Sequence, residues 1–202
     1  MSGNTSATGG FIIDVPPGPP VGDVVDQAMQ VMVSQLAGLP GNLVRPRWQP
    51  MPPTQRSPAT TWAAVGVIQT SVEGYPAILH DGATSLAGLP PGVDRMQRHA
   101  TLTVLVSFYG PEADFCAGQL RDALYMQQNM EPLAAIGAKL YEVEDLTRNA
   151  EVMNQQFIDR VDIRVLLRQQ LDRVFPILNL NGAQVTIHNE RFSEDVIVSP
   201  PP

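Results

Sequence analysis

Between residues 23 and 37 the apolar side chains Val24, Val25, Ala28, Val31, Met32 and Leu36 recur at the spacing of one helix face. The pattern predicts an amphipathic helix, with Asp23 and Asp26 at its start, where the helix dipole favours negative charge, and Gly38 and Pro40 closing it. Residues 39–58 then carry prolines at 40, 46, 50, 52, 53 and 58. Proline lacks the N–H that a helix interior or a sheet ladder uses, so this stretch is predicted to be extended or loop-like, with Trp48 as its anchor. Beyond it the period changes to two. Residues 62–72, small and β-branched, read as a strand, and a loop with His80, Asp81 and Gly82 follows. Residues 98–109 alternate more strongly: Ala100, Leu102, Val104, Val106 and Phe108 share one face, while His99, Thr101, Thr103, Ser107 and Tyr109 occupy the other.

That strand ends at Gly110-Pro111, which places proline at the first position of a second helix with Glu112 and Asp114 in its first turn. Its buried stripe is predicted to be Ala113, Cys116, Ala117, Leu120, Ala123, Leu124 and Gln127. Glu131-Pro132 begins a short third helix that Gly137 ends, and residues 139–146 read as a strand. In the next strand, 157–169, Phe157, Val161, Ile163, Val165 and Leu167 face a core, and Arg160, Asp162, Arg164 and Arg168 face water or a partner. A last short strand spans 184–188. The order predicts an α+β fold, an antiparallel or mixed β-sheet packed by helices on one face.

The chain ends have a different composition. Residues 1–20, rich in Ser, Gly and Pro, bury too little apolar surface to offset chain entropy and are predicted to form a flexible arm. Its apolar triplet Phe11-Ile12-Ile13 is expected to dock onto a neighbour on assembly. Residues 191–202 are expected to form a flexible tail, leaving 21–190 as a single domain.

Charge narrows the function. The chain has 13 basic and 20 acidic residues, a net charge of −7, and no concentrated basic window. Binding nucleic acid through phosphate neutralisation is therefore not expected. No apolar run reaches the ~18 residues of a membrane-spanning helix, and the N-terminus lacks a secretory pattern, so a soluble protein that stays where it is made is expected. The one cysteine, Cys116, suits a reducing cytoplasm and is predicted to be buried and unreactive. Among the basic residues Lys139 is the single lysine. Such arginine bias fits either a protein that lives in contacts or an arginine-favouring genome.

Candidate chemistry is sparse. No phosphate-binding or dinucleotide-binding glycine motif occurs, and His80, His99 and His188 lack metal-ligand spacing, so no cofactor and no metal are expected. His80-Asp81 is half of a hydrolase constellation at most, since adjacent residues cannot orient each other as a triad does. Glu142 and Glu144 fall on one strand face, opposite Tyr141 and Val143. They read as a solvated face or a cation site, and in a ring they would repeat around its axis.

The segment Ser107 to Ala113 (Ser-Phe-Tyr-Gly-Pro-Glu-Ala), continuing through Leu120 to Leu124, Gln128-Asn129 and Leu133 to Gly137, resembles the neck or tail terminator proteins of long-tailed bacteriophages. Further matching patches are Pro52-Pro53, Trp62 to Val67, Asp159 to Asp162 and Arg173 to Leu180, so the resemblance covers roughly residues 40–187. It implies a small α+β subunit in a homohexameric ring that caps the tail tube, stops its growth and joins the tail to the head. The implied partners are other copies of the chain, the tail tube protein, head-to-tail connector proteins and a tail sheath where one exists. Genomic DNA only passes through the channel, no membrane is involved, and the implied place is the virion, after assembly in the host cytoplasm. Arg160, Asp162, Arg164 and Arg168 are the expected subunit interface, and Glu142 and Glu144 the expected channel lining. A different head-to-tail adaptor or tail-completion protein fits the same composition. A small hydrolase using Ser107 or Cys116 with His80 or His99 is a third reading.

Overall fold

A computed structural model describes residues 11–14, 21–49, 56–84, 86, 92–153, 155–179, 183–188 and 193–198. Most of the predicted arm, and residues 199–202 of the predicted tail, lie outside them. The elements are α1 (Val21–Leu36), β1 (Val44–Pro46), β2 (Trp62–Val72), β3 (Ala77–Asp81), β4 (Val93–Tyr109), α2 (Ala113–Ala123), α3 (Glu131–Ala135), β5 (Ala138–Val143), β6 (Thr147–Met153), β7 (Gln156–Pro176), β8 (Ala183–His188) and β9 (Ser193–Val198). Seven strands form one mixed sheet in the order β1-β2-β4-β7-β5, with β3 pairing β4 and β6 pairing β7, while among the described residues β8 and β9 form a separate two-stranded sheet. The fold is α+β, as the periodicity predicts.

The chain divides into two compact units. The larger, residues 18–76 and 97–171, holds the helices and the core. Ala63 and Val65 of β2, Leu102 to Phe108 at alternate positions of β4, and Val161, Ile163, Val165 and Leu167 of β7 are buried against α1, α2 and α3. The predicted face of β4 and most of that of β7 are therefore the core faces. Helix α1 turns most of the predicted stripe inward, with Val25 and Met32 buried and Ala28 and Leu36 packed against the core, but Met29 and Val33 are buried as well and Val31 is 57% exposed. Gly38, at φ +68, ends the helix in a left-handed turn in which the Leu39 N–H donates to the Ser34 carbonyl.

Several elements depart from the sequence pattern. The proline-rich stretch contributes β1, which pairs parallel to β2 from Val44 opposite Ala63. Trp48 is 64% exposed and is held by its indole N–H, which donates to the Val67 carbonyl at 2.9 Å. Pro111 lies in a turn, and α2 begins at Ala113 after Glu112. Because α2 stops at Ala123, Gln127 is exposed instead of continuing the buried stripe. Phe157 is 81% exposed, while its neighbour Ile158 is buried outside the main core cluster. Phe157 pairs with Val152 near the tip of the β6–β7 hairpin, one residue pair from its turn. Strands β3, β6 and β9 were not marked by the pattern, and β4 and β7 are longer than predicted.

Bulges adjust the sheet at two places among the described residues. One falls between Val67 and Gln69 of β2, and there Asp26 of α1 accepts the Val67 N–H at 2.7 Å. Burial raises the Asp26 pKa, this hydrogen bond opposes the rise, and Asp23 adds to it. The other falls between Leu140 and Glu142 of β5. The extra residue, Tyr141, changes the strand's parity, so Leu140 and Val143 both pack on the core.

The smaller unit comprises residues 1–17, 77–96 and 172–202. Ile12 lines an apolar pocket of about 260 Å³ with Ile78, Met96, Phe175 and Ile177, and Asp14 lies 3.9 Å from Arg173. One member of the apolar triplet thus rests on its own chain, while Phe11 is exposed.

Candidate functional site

With the helices of the described residues on one side, the other side of the larger unit's sheet is a partly open face on which Ser107 and Tyr109 are buried. Alternation decides what stands on it: the even-numbered positions of β7 from 160 to 168 point away from the core, so Arg160, Asp162, Arg164 and Arg168 share this face, as expected. Antiparallel register adds the aromatic pair that sequence alone could not align. Trp62 opens β2 and Tyr109 closes β4, and their pairing stacks the rings at 4.2 Å with an interplanar angle of 9°. Arg45 lies 5.7 Å from the Trp62 ring and Arg160 the same distance from that of Tyr109. The result is an alternating ladder of cation, two rings and cation, a geometry in which each guanidinium meets the negative face of a ring.

Each charged residue predicted for the interface has a partner within the chain. Arg160 donates from Nε to Asp162 at 2.9 Å and from Nη1 to Glu151 at 3.2 Å. Burial pulls its pKa down, but the Asp162 hydrogen bond and the surrounding negative charges more than reverse this, so Arg160 is held firmly cationic. Asp162 also accepts from Asn149 at 3.1 Å. Arg164 pairs with Glu144 at 3.2 Å, and Arg168 with Glu73 at 2.5 Å. Tyr109 is raised by burial, partly offset by Arg160. Ser107 is fully buried and accepts a 2.6 Å hydrogen bond from Arg47.

A polar cleft of about 350 Å³ opens beside the ladder, where Glu144, Asp145 and Asp162 face Arg160 and Arg164. Glu142 is exposed. The bulge leaves Glu142 and Glu144 on the polar side, as expected, but Tyr141 is exposed instead of opposing them as part of a regular alternation. Among the described residues no group of three His, Cys, Asp or Glu is placed to hold a metal ion.

The histidine geometry agrees with the sequence reading that adjacent His80 and Asp81 do not orient each other. Asp94, not Asp81, contacts His80, at 2.7 Å from Nδ1, and Asn179 Oδ1 lies 2.8 Å from Nε2. The Asn179 amide nitrogen donates to the Gly82 carbonyl, which orients its oxygen toward the ring. Two acceptors on one imidazole favour the doubly protonated form, and the Asp94 and Asn179 bonds raise the His80 pKa. In that doubly protonated form the ring has no lone pair with which to take a proton. Asp81 accepts instead from the Thr84 hydroxyl and from the backbone N–H groups of Ala83 and Thr84, bonds that lower its pKa. Cys116 is buried on the core face of α2, and burial followed by Glu112 raises its thiol pKa.

Sequence reasoning missed Trp62, Tyr109, Glu73, Glu151, Asp94 and Asn179 as partners. Each meets its contact across a strand pair or a long sequence interval, and a usable signal would have required the register.

No curated protein matches the chain in sequence. A family model described as phage neck terminator protein matches residues 23–191, spanning all three helices and most of the described strands. That family is a structural one, with a role in the phage tail or neck, consistent with a sheet face built from fixed charge pairs and stacked rings. On this match, the chain belongs to the phage neck terminator protein family.

Proposed function

We propose that the chain is a tail terminator, a subunit of a homohexameric ring that caps the completed tail tube, stops its polymerisation and joins the tail to the head connector. The family match over residues 23–191 carries this reading. The open sheet face supports it: a ring is built from heterologous contacts between two different matching patches, and ion pairs already ordered within the subunit offer fixed charges at low entropic cost. Arg160, Asp162, Arg164 and Arg168 are the proposed contact residues. Partners are neighbouring copies, the tail tube protein, the connector and any sheath, in a virion assembled in the host cytoplasm. Glu142 and Glu144 are the proposed lining of a channel through which DNA passes, where negative charge keeps the duplex from adhering.

Native mass measurement of the purified assembly tests the ring, and tail length in particles lacking the protein tests the capping. A stable hexamer and overgrown tubes are expected. A monomer at all concentrations, or tails of normal length without it, would refute the reading. Reversing Arg160 and Arg164 together tests the face: undiminished ring yield at low and high salt would exclude it, because rim charges act mainly on orientation and rate and respond to ionic strength.

A further inference from the structure

We propose that the cleft beside Lys139 and Arg168 receives a carboxylate from a second copy of the chain, an inference that rests on the ring reading above and adds a contact to it. Lys139 of β5 and Arg168 of β7 are direct register partners, so two cations stand side by side on one face of the sheet. Like charges placed opposite each other in an antiparallel pair destabilise it unless an anion is shared between them. Arg168 is relieved by Glu73, whose other oxygen accepts from the Thr101 hydroxyl at 3.2 Å. Lys139 is exposed and has no salt bridge among the described residues. With His99 and Tyr141 the two cations border a cleft of about 390 Å³, room enough for an acidic side chain and its flanking backbone.

The chemistry of the occupant follows from the charges. An ammonium group with three donors beside a paired guanidinium selects an anion, and a chain of net charge −7 makes a neighbouring copy the nearest plentiful source of carboxylates. On the helix layer Asp114 and Glu131 are exposed, and the Asp122 side chain is 74% exposed with the adjacent Arg121 as its partner at 3.2 Å. A cationic cleft on the sheet and carboxylates on the helices are two different, complementary patches on one subunit, as heterologous ring closure requires.

Because Lys139 is the single lysine, zero-length carbodiimide coupling reads this contact directly. Rings assembled from equal amounts of light and heavy-isotope chains are coupled and digested. Peptides joining Lys139 to an Asp or Glu of mixed isotope origin are expected. Lys139→Glu is expected to weaken subunit association about tenfold at low salt, with the loss shrinking as salt rises, and Lys139→Arg to retain it. Thermal melts of both variants, expected to match the parent because the side chain is exposed, separate a lost contact from a lost fold. Rings in which Lys139 couples only within its own copy or not at all, or in which folded Lys139→Glu associates undiminished, overturn the cleft and leave the ring standing. A chain that never assembles overturns both.

Discussion

Replacing Gly110 with alanine is expected to be among the most damaging single-methyl additions available in this protein. Gly110 turns the chain from β4 into α2 at φ +99, a region L side chains rarely adopt. Its N–H donates to the Asp159 carbonyl at 3.0 Å and its carbonyl accepts from Ala113 at 3.1 Å, so the backbone cannot relax without losing contacts to both β7 and the helix start. A Cβ would lie 2.7 Å from the Thr60 carbonyl oxygen and 3.0 Å from Thr61 Cα, which are backbone atoms. Nor is Thr61 free to retreat, because its hydroxyl accepts the Glu112 N–H at 3.1 Å. The unfavourable φ costs about 1–3 kcal/mol. Overpacking adds about 1–3 kcal/mol, for a central expectation of about 3–4 kcal/mol. For a chain of this size that lowers Tm by roughly 6–16 °C. Gly118, within α2, is the control: its Cβ would meet nothing within 4 Å, so Gly118→Ala should stabilise by about 0.5–1 kcal/mol. Urea unfolding with unchanged slope measures both. Gly110→Ala within about 1 kcal/mol of the parent, or Gly118→Ala equally destabilised, would refute the reasoning.

Asp26→Ala should cost about 1–2 kcal/mol by leaving the Val67 N–H at the bulge without its acceptor, whereas Asp26→Asn, which keeps an acceptor oxygen and removes a desolvated charge, should match or exceed the parent near neutral pH. Since the folded-state pKa is raised above 3.8, the aspartate's contribution is full below that value and is lost as pH rises through the raised one; urea melts across pH should show Asp26→Asn flattening this slope. His80, raised from 6.5 chiefly by Asp94, should contribute stability that is full below about pH 6.5 and disappears as pH rises through its folded pKa, and His80→Gln should remove that dependence from thermal melts. Cys116 should react with a thiol reagent at least about 100-fold more slowly in native than in denatured protein; comparable rates would contradict its burial.

Local periodicity alone determined the α+β class, the core face of 98–109, the strand at 62–72, most of the second helix's buried stripe, and the polar row from Arg160 to Arg168. These follow from side-chain direction, which repeats every 2 or 3.6 residues and is encoded within each segment. Tertiary structure decided where two readings had equal local merit: whether Val31 or Met29 faces the sheet, and whether Phe157 or Ile158 is buried near a hairpin tip. It also decided everything that depends on register. That Trp62 stacks on Tyr109, that Tyr141 is the bulged residue, that His80 meets Asp94 and Asn179, and that Lys139 stands opposite Arg168 are facts about strands and loops distant in sequence. A one-residue slip would change each of these pairings while leaving every segment's own pattern intact, so only the assembled core, which buries one face of each strand, can choose among them.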